Sequence, residues 1–146
     1  MAYATVQDMI DRFTLDEVKQ LAPIRPAVEP GYDAVRVQQV LDDASSELDS
    51  YLAIRFPVPI SERLPLLEKA CCDLAREALD RTGRTPVLEA GKRARAWARD
   101  VAQGKATLGA GPADDVEAVP TADGGGAAVI APERVFTDES LQAYLR

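Results

Sequence analysis

Proline placement divides this chain before any other feature does. Pro23, Pro26 and Pro30 stand close together, Pro57 and Pro59 are one residue apart, and Pro65 and Pro86 each precede a long periodic segment. Inside a helix a proline removes a backbone donor and clashes with the preceding turn, and it biases the residue before it toward extended geometry. At the first helical position it is tolerated, because that donor has no partner anyway. Pro23, Pro26, Pro30 and Gly31 therefore forbid regular structure over about residues 22–32. Pro57 and Pro59 stop a helix near Arg55 or Phe56, whereas Pro65 and Pro86 restart one. The elbow Arg55, Phe56, Pro57 and Pro59 reads as a rigid bend between two packed helices, not as a catalytic loop.

Between the breaks the periodicity is helical. Thr5 can cap a first short helix through Asp8, and Thr14 with Glu17 forms a capping box opening LDEVKQL. From Asp33, a plausible N-cap, Val37, Val40, Leu41, Ala44, Leu48, Tyr51 and Leu52 make one continuous stripe. Asp42, Asp43, Glu47 and Asp49 fill the opposite side, a solvated face. After Pro65 the stripe is Leu67, Ala70, Cys71, Leu74, Ala78 and Leu79. Thr85 as cap and Pro86 at the first position open a last helix with a narrower apolar edge of Val87, Ala90, Ala94, Trp97 and Val101. Gly104 is placed to end it. The expected fold is all-α: a small bundle of about five helices over residues 1–105, followed by a long irregular C-terminal arm over 106–146. The arm is rich in Gly, Ala, Pro and Asp and has too little apolar surface to offset its ordering entropy alone.

Composition narrows the chemistry. The chain has no histidine, which removes Ser-His-Asp and Cys-His nucleophile activation and the commonest general base. It also lacks a P-loop and a GxGxxG after a strand, so no catalytic residue, metal site or cofactor is expected, and an enzyme is not. Adjacent Cys71 and Cys72 point about 100° apart on a helix. They read as buried free thiols of a reducing cytoplasm. No apolar run reaches the ~20 residues of a membrane span, and the N-terminus lacks the pattern of a secretory signal. The net charge of −7 argues against wrapping bare nucleic acid, but it is unevenly spread. Residues 1–80 carry −7, residues 81–105 carry +5, and residues 106–146 carry −5. The basic face Lys92, Arg93, Arg95 and Arg99 can meet Asp42, Asp43, Glu47 or Asp49, as a contact between adjacent copies of the chain.

The arm closes with RVFTDESLQAYLR, which concentrates Val135, Phe136, Leu141, Tyr144 and Leu145. A loose segment with an apolar hook docks on another protein, on a copy of itself, or back on its own helices.

Five stretches in order, YATVQDMIDRF, ELDSYLAIRFPVP, CDLARE, RDVAQGKATLG and RVFTDESL, resemble a family of Mu-like phage head–tail neck proteins. The resemblance covers almost the whole chain apart from about 110–131. It implies a structural virion protein, a head–tail adaptor (connector) forming a homo-oligomeric ring, commonly a dodecamer, beneath the portal. Its partners would be the portal protein and the next neck or tail-completion protein below, with DNA passing through the lumen. Its location would be the virion neck, and the host cytoplasm during assembly. On this resemblance Arg134, Val135, Phe136, Leu141, Tyr144 and Leu145 form the portal-docking arm, and Arg55, Phe56, Pro57 and Pro59 match the family's elbow. The departures are the Gly/Ala/Pro-rich insert before the hook and an alanine-rich last helix. The alternative is a DNA-packaging factor of small-terminase type, binding DNA through the basic helix 86–104.

Overall fold

The computed structural model describes residues 2–24 and 30–109. Within them the chain forms five α-helices: α1 (Val6–Phe13), α2 (Leu15–Leu21), α3 (Ala34–Leu52), α4 (Pro65–Leu79) and α5 (Thr85–Ala102). The fold is all-α. Among the described residues the sole strand-like pairing is an isolated bridge between Pro23 and Tyr32, beside a bond from the Asp33 N–H to the Ala22 carbonyl of 2.8 Å. That bridge closes the proline-rich loop and delivers the chain to the start of α3.

Local chemistry sets most helix boundaries. Thr5 caps α1 with the full reciprocal box: its hydroxyl takes the Asp8 N–H, and the Asp8 carboxylate takes the Thr5 N–H at 2.8 Å. Thr14 caps α2 by accepting from the Glu17 N–H at 3.5 Å, but the box is half made. The Glu17 carboxylate turns away to Arg76 and Arg84. Asp33 caps α3 through the Arg36 N–H, as its position suggested. α3 ends at Leu52, slightly earlier than the prolines require. Its last turn is drawn on by bonds from the Arg55 and Phe56 N–H groups to the Leu52 carbonyl.

α5 departs from expectation at its start. Thr85 is its first helical residue, not its cap, and Arg84 in the cap position has no side-chain bond to the helix. Asp80 organises that turn instead, accepting from the N–H groups of Thr82 and Arg84 at 2.9 and 3.0 Å. At the other end Gly104 has φ +75°, with its N–H bonded to Val101 and the Lys105 N–H bonded to Asp100. This is the Schellman geometry that a glycine after a helix permits.

The core lies where α3, α4 and α5 meet, with α1 laid across α3 and α4. Leu41, Leu48, Leu52, Leu67, Leu79 and Val101 are fully enclosed there. One stripe assignment needs correction: Ala78 is exposed, while Ala75, outside the stripe, is buried, as is Cys72. α4 is covered by α1 as well as by α3 and α5, so its buried arc is wider than one stripe. Polar Ser45 is also enclosed, its hydroxyl donating to the Leu41 carbonyl at 2.8 Å with the Cys71 thiol 3.3 Å away. Both cysteines are buried free thiols, and burial pushes Cys72 up to about 12. Packing continues through Leu108, past position 105 where the arm was expected to begin.

Candidate interaction surfaces

The elbow is anchored by Phe56, which is only 8% exposed, while Pro57 and Pro59 face solvent. Among the described residues Arg55 forms no ion pair. Its guanidinium lies 5.6 Å from the centroid of the Phe56 ring and against Gly104, just past the end of α5. A Cβ on Gly104 would stand 2.6 Å from Arg55 Nη1. This places its positive charge at the negative end of the α5 dipole.

Two residues that sequence reasoning missed hold the elbow loop down. Tyr3 donates its hydroxyl proton to Asp49 and accepts the Ile60 N–H at 3.1 Å, while its own N–H donates to Ser45 at 2.9 Å. Burial first, then the bond to Asp49, raises the Tyr3 hydroxyl above its ordinary range. Arg63 bridges Asp8 of α1 at 2.5 Å and Glu68 of α4 at 2.9 Å. Partial burial works against the Asp8 carboxylate, but its bonds from Thr5 and the charge of Arg63 outweigh this and lower its pKa.

The charged faces divide into occupied and open groups. Arg95 and Glu47, expected on opposite sides of a contact between copies, pair within one chain. Arg95 donates to Glu47 at 2.6 Å and to Glu77 at 2.7 Å, joining α5 to α3 and α4. The Glu47 bond is the main cause of the raised Arg95 pKa. Gly91 makes room for this triad, since a Cβ there would lie 1.7 Å from Glu77 Oε2. A glycine inside an otherwise alanine-rich helix was the available signal for such a close approach. Lys92 pairs with Glu89 at 2.9 Å, and Asp49 holds Tyr3. Arg93, Arg99, Asp42 and Asp43 are exposed and make no ion pair among the described residues.

A second node ties α2 to the start of α5: Glu17 accepts from Arg76 at 2.5 Å and Arg84 at 3.0 Å. The Arg76 guanidinium also lies 4.5 Å from the centroid of the Phe13 ring. Beside it, the Thr82 hydroxyl and N–H, then Arg84, hold Asp80 well below the usual carboxylate range.

Among the described residues, open grooves mark the surface of the bundle, one beside Asp80 and Arg84 and two that bear on α5. Of the latter, one, between α4 and α5, has an apolar floor of Leu66, Ala70, Ala94 and Trp97 with Lys69, Asp73 and Arg93 on its rim. The other runs beside Val40, Ala44 and Leu88 and carries Asp43, Glu47 and Glu77 with Arg95. Among the described residues no group of three or more His, Cys, Asp or Glu is placed to hold a metal ion, and no helix is long and apolar enough to cross a membrane. The arm residues Arg134, Val135, Phe136, Leu141, Tyr144 and Leu145 lie outside the described residues.

Comparison with known proteins gives this surface its context. The chain is 36% identical over 110 residues to gene product J of Escherichia phage Mu, covering 75% of this chain and 77% of that protein. It is also 36% identical over 83 residues to the Mu-like prophage FluMu protein gp36 of Haemophilus influenzae, a match spanning 57% of each chain. The family model described as bacteriophage Mu, Gp36 matches residues 3–129, from Tyr3 at the elbow through all five helices and into the arm. The chain belongs to this bacteriophage Mu Gp36 family and is a phage protein.

Proposed function

We propose that this protein is a structural virion component, a head–tail adaptor (connector) subunit that assembles as a ring in the neck and joins the portal to the tail. The observation that carries the reading is kinship with phage Mu gene product J over three quarters of both chains. The body supports it: a helical bundle joined by ion pairs between helices, such as Arg95 with Glu47 and Glu77 and Arg76 with Glu17, that leaves other charges at the surface. Arg93 and Arg99 on α5 and Asp42 and Asp43 on α3, exposed and without ion pairs among the described residues, supply opposite charges for contacts between neighbouring copies. Exposed pairs are individually worth about 0–1 kcal/mol, so their benefit is register across a repeated contact. The apolar hook of the arm, with Phe136 among its anchors, is the portal-docking element. A buried Phe in a pocket contributes ~1.5–3 kcal/mol, and repetition around a ring multiplies it.

The test is the mass of the full chain alone and after mixing with the portal protein of its own phage. A ring-sized complex with portal is expected, and Phe136→Ala should weaken it without changing the melting of the body. A protein that stays apart from portal at every concentration overturns the reading. The DNA-packaging alternative draws less support, because Arg95 and Lys92 are already paired within the chain and leave few free cations for phosphates. Salt-dependent retardation of DNA in a gel would favour it.

A further inference from the structure

The groove between α4 and α5 is an apolar surface with a basic rim, and it lies where the chain leaves the bundle. Its floor is Leu66, Ala70, Ala94 and Trp97, and Leu66 is 45% exposed, unusual for a leucine beside a core. Lys69 and Arg93 flank it; Lys69 is tied to Asp73 at 2.5 Å, whereas Arg93 makes no ion pair among the described residues. The groove holds about 220 Å³, below the roughly 300–1,000 Å³ of small-molecule sites. That is room for a few side chains. Leu108 is buried in the core cluster, and Gly109 follows at φ +85°. A Cβ on Gly109 would stand 3.0 Å from Leu66 Cδ1. The chain therefore passes out of the described body against the groove's own rim.

We infer that this groove is the docking site of the chain's own segment 137–146, which covers it in the free subunit. Leu141, Tyr144 and Leu145 stand at the i, i+3, i+4 spacing that puts three apolar side chains on one helical face, the pattern that lays into an apolar groove. Asp138 and Glu139 lie one turn before them, and Arg93 on the rim, with no ion pair among the described residues, is the cation they match. Residues 106–146 carry −5, a sign that suits the exposed Arg93 and Arg99 of α5. The intervening residues 110–136 can reach any point of so small a body, at ~3.3–3.6 Å per extended residue. A tether of this length costs little more to close than a shorter one and keeps the segment at a high local concentration. Val135 and Phe136 remain outside the groove and free for another partner. The contact stands independently of the adaptor reading, since it concerns the isolated chain.

Trp97 is the protein's single tryptophan and lines the groove, so its fluorescence reports the contact directly. In the full chain, Leu141→Ser with Tyr144→Ser and Leu145→Ser should raise acrylamide quenching of Trp97 about twofold and shift its emission to the red. Arg93→Glu should move quenching in the same direction. As a second measurement, Leu66→Cys with Tyr144→Cys should form an intramolecular disulfide at least tenfold faster than Leu66→Cys with Ala127→Cys. Equal quenching in the wild type and the triple variant overturns the proposal, as do equal disulfide rates. Protection of Trp97 that vanishes on dilution, or disulfides that form only between chains, would assign the groove to a second copy and overturn it equally.

Discussion

Tyr3 is the residue on which the elbow most depends, because one hydroxyl serves both Asp49 and the Ile60 N–H. Tyr3→Phe keeps the ring but leaves a partly buried carboxylate and a backbone donor without partners. It should lower unfolding stability by about 1–3 kcal/mol in urea titration. Because the folded protein raises the Tyr3 pKa, its contribution is complete below the ordinary tyrosine value near ~10 and is lost as pH rises above it. The wild type and Tyr3→Phe should therefore converge in stability at strongly alkaline pH. Gly91→Ala makes a different argument. Its Cβ would displace the end of the flexible Glu77 side chain, breaking the bond to Arg95. The helix gains up to ~1 kcal/mol from alanine over glycine, and the lost ion pair is worth ~0–1 kcal/mol. Net stability should stay within about 1 kcal/mol of wild type, with the two effects separable in an Arg95→Met background. Neither position was legible as a contact in the sequence. Gly91 at least broke a helical pattern, whereas nothing near Tyr3 announces partners 46 and 57 residues away.

Among the elements, the helix starts were the most legible part of the fold. Caps and N1 prolines act on groups within one turn, so Thr5, Thr14, Asp33 and Pro65 could be read directly. Where a longer-range partner competes, the local rule fails. Glu17 abandons its half of the capping box for two arginines, and Asp80 takes over the turn that Thr85 was expected to cap. The elbow divides similarly: the prolines announced the bend, but the buried Phe56 secures it. Phe56→Ala should cost about 3–5 kcal/mol, the usual effect of truncating a core aromatic. Pro57→Ala, at an exposed position, should stay near 0.5 kcal/mol, and comparable losses would return the bend to the proline. Asp80→Asn should lower the melting temperature at neutral pH. With its folded pKa depressed, the Asp80 carboxylate stabilises fully above the ordinary value near ~3.9 and loses this as pH falls through the folded pKa. The difference between wild type and Asp80→Asn should disappear only in strong acid.

For the whole molecule, the basic stretch 81–105 and the acidic rest were visible in the sequence, but which charges face outward was not. Opposite charges on neighbouring helices find each other first, as Arg95 does with Glu47 and Glu77. Charge reversal at Arg95 would gather three carboxylates in one place and destabilise the body itself, confounding any assembly measurement. Arg93→Glu and Arg99→Glu, at exposed positions without ion pairs among the described residues, should leave the stability of the helical body within about 0.5 kcal/mol. If neighbouring copies meet through this face, the same pair should raise the concentration needed for ring assembly, measured by light scattering. Assembly insensitive to both substitutions and to moderate salt would remove α5 from the subunit contact.

The strap from Tyr3 to the elbow also orders events during synthesis. α1 and α2 have 8 and 7 residues, too short to persist alone in water, and their surroundings lie on α3, the elbow and α4. A ribosome that has made α1 and α2 has not yet made the surfaces on which they pack. Those residues must wait until the chain beyond Ile60 has emerged, so α1 and α2 become native only after segments translated later than themselves.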